Sequence, residues 1–169
     1  MPKIVITGPE STGKSTLAKA LATYYKTIYV EEYARTYLTK LGRDYVQQDL
    51  LEITKGQIAL EGSAATKNPK LLIYDTSLEV IKIWSEYKYG NCNQFIIDQY
   101  QSRLPDLYLL MAPDLPWQPD PLRENPNDRE ELYELYKNEL ISSKTPYHEI
   151  SGSENERIKI GIKVIENKL

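Results

Sequence analysis

The sequence is short of the residues that build disulfides, membrane spans and broad basic surfaces. Cys92 is the only cysteine, so no internal disulfide can form, as is usual in a reducing compartment. No apolar run approaches the roughly 18 residues of a membrane helix. The net charge is −3 and the sequence pI is about 5.3, so the positive field of a nucleic-acid binder is missing. The first residues lead directly into a strand-like run, so we expect no signal peptide. We expect a cytoplasmic protein without membrane or nucleic-acid partners, and the oligomeric state stays open.

Strand-like and helical segments alternate along the 169 residues. Short runs of apolar or β-branched residues predict strands at 3–7, 27–30, 71–74 and 107–111, and a weaker pattern predicts a fifth strand at 147–150. This alternation predicts one α/β domain over residues 1–169, with a mainly parallel five-stranded sheet and helices on both faces. Helical spacing of apolar residues predicts one helix from Lys14 and a long one from about Asp44, with Val46, Leu50, Ile53 and Leu60 on one face. A capping box at Thr76 and Glu79 predicts the start of a third helix. A second capping box at Ser153 and Glu156 predicts the last helix, in which Ile158, Ile162 and Ile165 are in line.

The motif GPESTGKST, residues 8–16, lies between the first strand and the first helix. Its glycines, Gly8 and Gly13, allow the backbone N–H groups to point inward at phosphates, and the helix start adds a positive dipole end. Lys14 would reach the β- and γ-phosphates, and the Ser15 hydroxyl would ligate Mg²⁺. Gly-x-Gly-x-x-Gly, the dinucleotide pattern, is absent. We therefore predict a P-loop that binds ATP and Mg²⁺ through Gly8, Pro9, Glu10, Ser11, Thr12, Gly13, Lys14, Ser15 and Thr16.

Acidic residues follow the second and third predicted strands, at the edge where parallel sheets bind ligands. Glu31 or Glu32 would accept the proton of a hydroxyl that attacks the γ-phosphate, although acids are also favoured at an ordinary helix start. Asp75 would reach the Mg²⁺ shell, or else cap the next helix. The acids alone leave both alternatives open.

The segment PDLPWQPDPLRENPN, residues 113–127, holds five of the ten prolines and can be neither helix nor central strand. With Arg129 it predicts a lid over about 113–129, in which Arg123 and Arg129 close over the transferred phosphate. A passive surface loop is the alternative. Trp84, among apolar residues at helical spacing, is expected in the core.

The stretches GPESTGKSTLAKALA, EEYAR, YDTS and PWQPDPLR, in this order, resemble the kinase domain of the bacterial NadR proteins, which is a ribosylnicotinamide kinase placed with small AAA-type ATP-binding domains. The resemblance covers almost the whole chain from Gly8 onward. It implies a fold like that of nucleoside and nucleotide kinases, and phosphoryl transfer from ATP to the 5′-hydroxyl of nicotinamide riboside. Full NadR proteins also carry an adenylyltransferase domain ahead of the kinase, which this chain is not expected to contain.

The same resemblance implies roles for individual residues. Glu32 matches the acid of the family's EYxR element, and Asp75 matches the acid after the third strand. Trp117, Asp120 and Arg123 match the loop after the fourth strand, where the family has an aromatic residue against the nicotinamide ring. We also expect Tyr33, Arg35 and Asp120 to contact the acceptor. Two other functions remain open, a deoxynucleoside or other nucleoside kinase and a regulatory ATPase without a small acceptor. A neutral base would need an amide partner, for which Gln57 is the one candidate.

Overall fold

The computed structural model describes residues 1–169, and its centre is one parallel sheet. The strands are β1 (Lys3–Thr7), β2 (Tyr29–Val30), β3 (Leu72–Asp75), β4 (Leu107–Met111) and β5 (Tyr147–Ile150). They lie in the order β2-β3-β1-β4-β5, and every neighbouring pair is parallel. The predicted α/β class with a five-stranded parallel sheet is confirmed.

The parallel arrangement brings all strand carboxyl ends to one edge of the sheet. In the register of the central strand, Ile6 of β1 lies beside Asp75 of β3, and Thr7 lies beside Leu110 of β4. The loop that follows Thr7 therefore starts between the ends of β3 and β4. This places the predicted P-loop, Asp75 and the proline-rich segment at the same edge.

Helices cover both faces of the sheet, because successive strand residues point to opposite sides. Ile4 and Ile6 pack with Leu17 and Ile165 on one face, whereas Val5 packs with the helices of the other face. None of the helices is long and apolar enough to cross a membrane. The helices are α1 (Lys14–Tyr24), α2 (Tyr33–Leu41), α3 (Gln47–Thr66), α4 (Leu78–Tyr89), α5 (Gln94–Ser102), α6 (Arg129–Ser143) and α7 (Glu154–Lys168).

The long helix predicted from about Asp44 begins three residues later, at Gln47. Val46, expected on its buried face, is 53% exposed, and Leu60 is 38% exposed. The buried face continues from Leu50 and Ile53 into polar residues, which include Thr54, Gln57 and Glu61. Their side chains are hydrogen-bonded inside the protein. Apolar spacing therefore identified Leu50 and Ile53 of the buried face correctly, but Val46 and Leu60 wrongly.

The predicted capping box at Thr76 is wrong. The backbone N–H of Thr76 still donates to the Ile6 carbonyl (2.9 Å), so this residue extends the pairing of β3 with β1. Its φ of 65° then turns the chain, and α4 begins only at Leu78. Glu79 accepts a bond from the Ser77 backbone N–H (3.2 Å) instead.

The capping box of the last helix is confirmed, since Ser153 and Glu156 exchange hydrogen bonds of 2.7 and 3.3 Å. The buried stripe of α7 differs from the predicted one. It consists of Arg157, Gly161 and Ile165, while Ile158 and Ile162 are half-buried.

Candidate active site at the carboxyl edge of the sheet

The P-loop curls around the N-terminus of α1, in the strand–loop–helix setting that the motif predicted. Gly13 is the N-cap of α1 and Lys14 is its first residue. The Pro9 carbonyl accepts bonds from Lys14 Nζ (2.6 Å) and Thr12 Oγ1 (2.8 Å). Burial lowers the pKa of Lys14, and the charges of Glu32 and Asp75 oppose that shift. The lysine is thus part of a charged cluster at the start of the helix.

Gly8 must be a glycine because the loop passes close to the end of β4. Its φ is 134°, and a Cβ atom there would lie 2.7 Å from the Met111 carbonyl oxygen. Any side chain would therefore push the P-loop away from the neighbouring strand.

Ser15 and Asp75 meet at the mouth of the P-loop. The Ser15 hydroxyl donates to Asp75 Oδ2 (2.5 Å), while Asp75 Oδ1 is buried without a hydrogen-bond partner. Burial raises the pKa of Asp75, and the bond from Ser15 opposes this. A hydroxyl beside an unpartnered carboxylate oxygen suits Mg²⁺, which prefers oxygen ligands and shares its shell with phosphates. No group of three or more His, Cys, Asp or Glu side chains forms a protein-only metal cage.

Glu32 is the N-cap residue of α2, but its side chain makes no capping bond. It lines the cavity together with Lys14 and Asp75. Burial raises the pKa of Glu32 to about 7, Lys14 opposes the rise, and Asp75 adds to it. The adjacent Glu31 is exposed and accepts a bond from the Tyr29 hydroxyl (3.2 Å). Of the two candidate bases, only Glu32 therefore faces the cavity.

A cavity of about 290 Å³ runs along this edge of the sheet. The P-loop forms its floor, with Gly8 and Glu10 to Thr16 in the lining. Next to the ends of β2 and β3 the walls are Glu32, Ala34, Arg35, Leu38, Asp75, Val80 and Trp84. The segment after β4 adds Leu115, Pro116, Gln118, Leu122 and Arg123, and the start of α7, after β5, adds Glu154, Arg157 and Ile158. One half of the lining thus follows β2 and β3 in the chain, and the other half follows β4 and β5.

The proline-rich segment crosses above the cavity without regular secondary structure. Asp120 pairs with Arg35 of α2 (3.0 Å), and the Gln118 backbone N–H donates to Ser11 Oγ (2.8 Å). Arg123 lines the cavity. Arg129, predicted within the lid, is the first residue of α6 and donates to the Ser11 carbonyl (3.1 Å). Both predicted arginines therefore lie near the P-loop.

Five of the predicted site residues do not line the cavity, namely Pro9, Tyr33, Trp117, Asp120 and Arg129. The Trp117 ring instead lies against two guanidinium groups, with centroid distances of 6.0 Å to Arg123 and 5.7 Å to Arg129. The Tyr33 ring packs over Gly56 of α3.

Trp84 and Arg157 are two site residues that sequence reasoning missed. Trp84 packs partly against the core, as expected, but also forms part of the cavity wall. Arg157 is 2% exposed and donates to the carbonyls of Thr12 (3.0 Å), Ala112 (3.0 Å) and Gly152 (2.8 Å). An arginine four residues before Gly161 and eight before Ile165 was the available signal for a buried role.

The family described as AAA domain matches residues 3–157, which is most of the chain. The chain belongs to this family. The matched AAA-domain region runs from β1 into the first turn of α7 and includes every residue of the P-loop.

Two curated relatives are both described as trifunctional NAD biosynthesis/regulator protein NadR. The protein of Escherichia coli strain K12 is 30% identical over 141 residues, which are 78% of this chain and 34% of that protein. The protein of Salmonella typhimurium is 31% identical over 127 residues, 71% of this chain and 30% of that protein. This chain therefore spans about a third of the length of these relatives.

Solved structures support the fold. A NadR protein in complex with NR superposes with a TM-score of 0.79 at 19% identity, over 99% of this chain and 51% of that one. A thymidylate kinase from Ehrlichia chaffeensis gives 0.71 at 16% identity, over 98% of both chains. A deoxyadenosine kinase from M. mycoides gives 0.68 at 17% identity, over 98% of this chain and 99% of that chain. The AAA-domain chain has the fold of P-loop nucleoside and nucleotide kinases.

Proposed function

We propose that the protein transfers the γ-phosphate of ATP to the 5′-hydroxyl of nicotinamide riboside, giving nicotinamide mononucleotide. The observation that carries this proposal is one cavity lined by Lys14 and Ser15 of the P-loop, by Asp75, and by Glu32 with a pKa raised to about 7. A carboxylate with that pKa can take a proton near neutral pH. The NR-bound NadR structure supports the choice of acceptor.

The half of the cavity beside β2 and β3 is the proposed acceptor site, because Glu32 and Asp75 both lie there. The acceptor hydroxyl gives its proton to the Glu32 carboxylate while its oxygen attacks the γ-phosphorus. The bond from that phosphorus to the bridging oxygen breaks, and ADP leaves. Lys14 and Arg123 balance the charge on the transferred group. Mg²⁺, held by Ser15 and Asp75, would neutralise phosphate charge when bound.

The charge of this half suits a cationic acceptor ring. Glu32 and Asp75 are its acids, and its single arginine, Arg35, is already paired with Asp120. Nicotinamide riboside carries a fixed positive charge on its pyridinium ring, so these carboxylates favour it over a neutral nucleoside.

The amide predicted to read a neutral base, Gln57, is engaged inside the protein. Gln57 is 2% exposed, its Oε1 accepts from the Tyr33 backbone N–H (2.9 Å), and its Nε2 donates to Glu61 (3.2 Å). Binding a base edge would require these bonds to break. This favours nicotinamide riboside over deoxynucleosides as the acceptor.

Trp84 replaces Trp117 as the proposed aromatic partner of the acceptor ring. Trp84 lies in the wall of the acceptor half, where its face can attract a pyridinium cation. Trp117 lies against Arg123 and Arg129 and is proposed to hold these arginines in the lid. A regulatory ATPase would need neither an acceptor half nor a base in it, so the cavity also favours a kinase.

A kinetic comparison of acceptors tests the proposal. Purified protein with ATP and Mg²⁺ is assayed with nicotinamide riboside, thymidine, deoxycytidine and deoxyadenosine, and kcat/KM is measured for each. We expect the highest value for nicotinamide riboside and little ATP consumption without an acceptor. Efficient phosphorylation of a deoxynucleoside with no turnover of nicotinamide riboside would refute the proposed acceptor.

The two tryptophans provide a matched pair of variants. Trp84→Ala should mainly raise the KM for nicotinamide riboside, whereas Trp117→Ala should mainly lower kcat through the lid arginines. The opposite pattern would return the acceptor-facing role to Trp117.

A further inference from the structure

Glu10, the third residue of the P-loop, reaches across to the lid. Its Oε2 atom accepts hydrogen bonds from the backbone N–H groups of Glu124 (3.1 Å) and Asn125 (3.0 Å). These two residues directly follow Arg123, the lid arginine that lines the cavity. One carboxylate thus joins the phosphate-binding loop to the part of the lid that carries the arginine.

We propose that Glu10 is a positioning residue that latches the lid at Glu124 and Asn125 and so holds Arg123 over the transferred phosphate. The inference deepens the proposed function and rests on it for its kinetic consequence. The contact itself exists in the structure independently of any reaction.

The charge of Glu10 supports this role. A carboxylate in a phosphate-binding loop repels the anion that the loop must hold, so by itself it opposes nucleotide binding. A role in holding the lid would explain its presence, because an ionised carboxylate accepts hydrogen bonds from backbone N–H groups strongly. Lys14, which lies close enough to influence the carboxylate electrostatically, compensates part of the repulsion.

Glu124 is also held through its side chain, by Tyr45 before α3 and by Lys88 of α4. The Glu124 carboxylate accepts a bond from the Tyr45 hydroxyl (3.1 Å) and lies 3.4 Å from Lys88 Nζ. Lys88 in turn lies 3.9 Å from the centroid of the Tyr45 ring. The Glu124 backbone therefore binds the P-loop, while its side chain binds the region of α3 and α4.

Contacts of Asp120 hold the backbone of Arg123 on the N-terminal side of the latch. The Arg123 backbone N–H donates to the Asp120 carbonyl (3.0 Å), and Asp120 pairs with Arg35. Arg123 is thus fixed before and after its own position. Loss of the Glu10 bonds would release the backbone at Glu124 and Asn125 from the P-loop and leave the downstream side held only through the Glu124 side chain.

Amide hydrogen exchange at residues 124 and 125 tests the latch directly. Wild type, Glu10→Ala, Glu10→Gln and Glu130→Gln are compared with and without AMP-PNP. Glu130, an exposed acid in the first turn of α6, is the charge-matched control. We expect exchange at both amides to speed up about tenfold or more in Glu10→Ala, less in Glu10→Gln, which keeps one acceptor oxygen, and not at all in Glu130→Gln. Unchanged exchange in both Glu10 variants would overturn the proposal.

A double-mutant cycle tests whether Glu10 acts through Arg123. Glu10→Ala should lower kcat on the order of 10- to 100-fold, as expected for a misplaced catalytic group. In an Arg123→Ala background the same change should cost less than about threefold. Equal costs in both backgrounds would show that Glu10 does not act through Arg123. If Glu10→Ala fails to fold, Glu10→Gln serves in both experiments. Absence of any kinase activity in wild type would refute the proposed function, while the exchange result would still decide the latch.

Discussion

At the residue scale, burial gives Glu32 a pKa suited to its proposed role as a general base. Desolvation raises its pKa to about 7, so the carboxylate that must accept the proton forms only as the pH rises through that value. We expect kcat to increase about tenfold per pH unit below 7 and to level off above it. The measurement is kcat from pH 5.5 to 8.5 at saturating ATP, Mg²⁺ and acceptor. A rate that stays flat from pH 5.5 to 7 would contradict the assignment of Glu32 as the base.

Glu79 is a second carboxyl group with a raised pKa, but it lies outside the cavity. It is fully buried, its Oε2 has no hydrogen-bond partner, and burial raises its pKa to about 7 while the neighbouring Thr7 opposes the rise. Between about pH 4.5 and 7 the folded state keeps a proton that the unfolded state loses. The stabilisation from this group is therefore present at low pH and is lost as the pH rises to about 7.

Glu79→Gln should remove this pH dependence. The free energy of unfolding is measured with urea at pH 5 and pH 8 for both proteins. Between these two values wild type should lose roughly 3 kcal/mol more stability than the variant. Groups that titrate independently of Glu79 change the stability of both proteins equally, so their contribution cancels when the two losses are subtracted. Parallel losses in the two proteins would show that Glu79 is ionised in the fold at both pH values.

At the element scale, the start of α2 is docked onto α3 at Gly56. A Cβ atom at Gly56 would lie 1.9 Å from Cε1 of the Tyr33 ring, and Tyr33 directly follows Glu32. The Tyr33 backbone N–H also donates to Gln57 (2.9 Å). The position of the proposed base therefore depends on the absence of a side chain on the neighbouring helix.

Gly56→Ala should destabilise the protein by roughly 1–3 kcal/mol and lower kcat, although alanine favours a helix. Gly62→Ala is the control, because it lies in the same helix with nothing within 4 Å of its Cβ position. The control should gain up to about 1 kcal/mol and keep its rate. Urea unfolding and steady-state kinetics give both quantities. A stable and fully active Gly56→Ala protein would show that Tyr33 moves aside without disturbing Glu32.

The elements that could be predicted from sequence are those with a strong local pattern. Strands β1 to β4 lie in runs of apolar and β-branched residues, and the P-loop and the Ser153 capping box are short-range motifs. The start of α4 could not be predicted, since Thr76 keeps the hydrogen bonding of the strand for one further residue. Part of the buried face of α3 was also missed, because Gln57 and Glu61 are polar residues whose side chains are hydrogen-bonded to each other and to Ser77 inside the protein.

At the scale of the whole molecule, the site is assembled from loops at one sheet edge. Parallel topology predicted that Glu32, Asp75 and the lid would meet beside the P-loop. Topology does not predict side-chain directions, and for that reason Trp84 rather than Trp117 came to line the cavity. The partners of Glu10 lie 114 and 115 residues away along the chain, beyond any local pattern.

The lid is predicted to respond to ligands. Contacts of the lid with Glu10, Ser11 and Arg35 lie around the cavity, so ATP and acceptor should stabilise the closed arrangement. Trypsin cleavage after Arg123 should become slower with both ligands bound. Cleavage after Lys67, in the exposed turn that follows α3, is the internal control and should not change. Equal cleavage after Arg123 in all conditions would indicate a passive loop.

The central claim is that Glu32 activates a nucleoside hydroxyl for attack on the γ-phosphate of ATP. The most direct measurement is transfer of radiolabel from γ-labelled ATP to nicotinamide riboside by wild type, Glu32→Gln and the neighbouring Glu31→Gln. We predict labelled nicotinamide mononucleotide with wild type and Glu31→Gln at similar rates, and a loss on the order of 10²- to 10⁴-fold with Glu32→Gln. A Glu32→Gln protein that transfers label at the wild-type rate would contradict the claim.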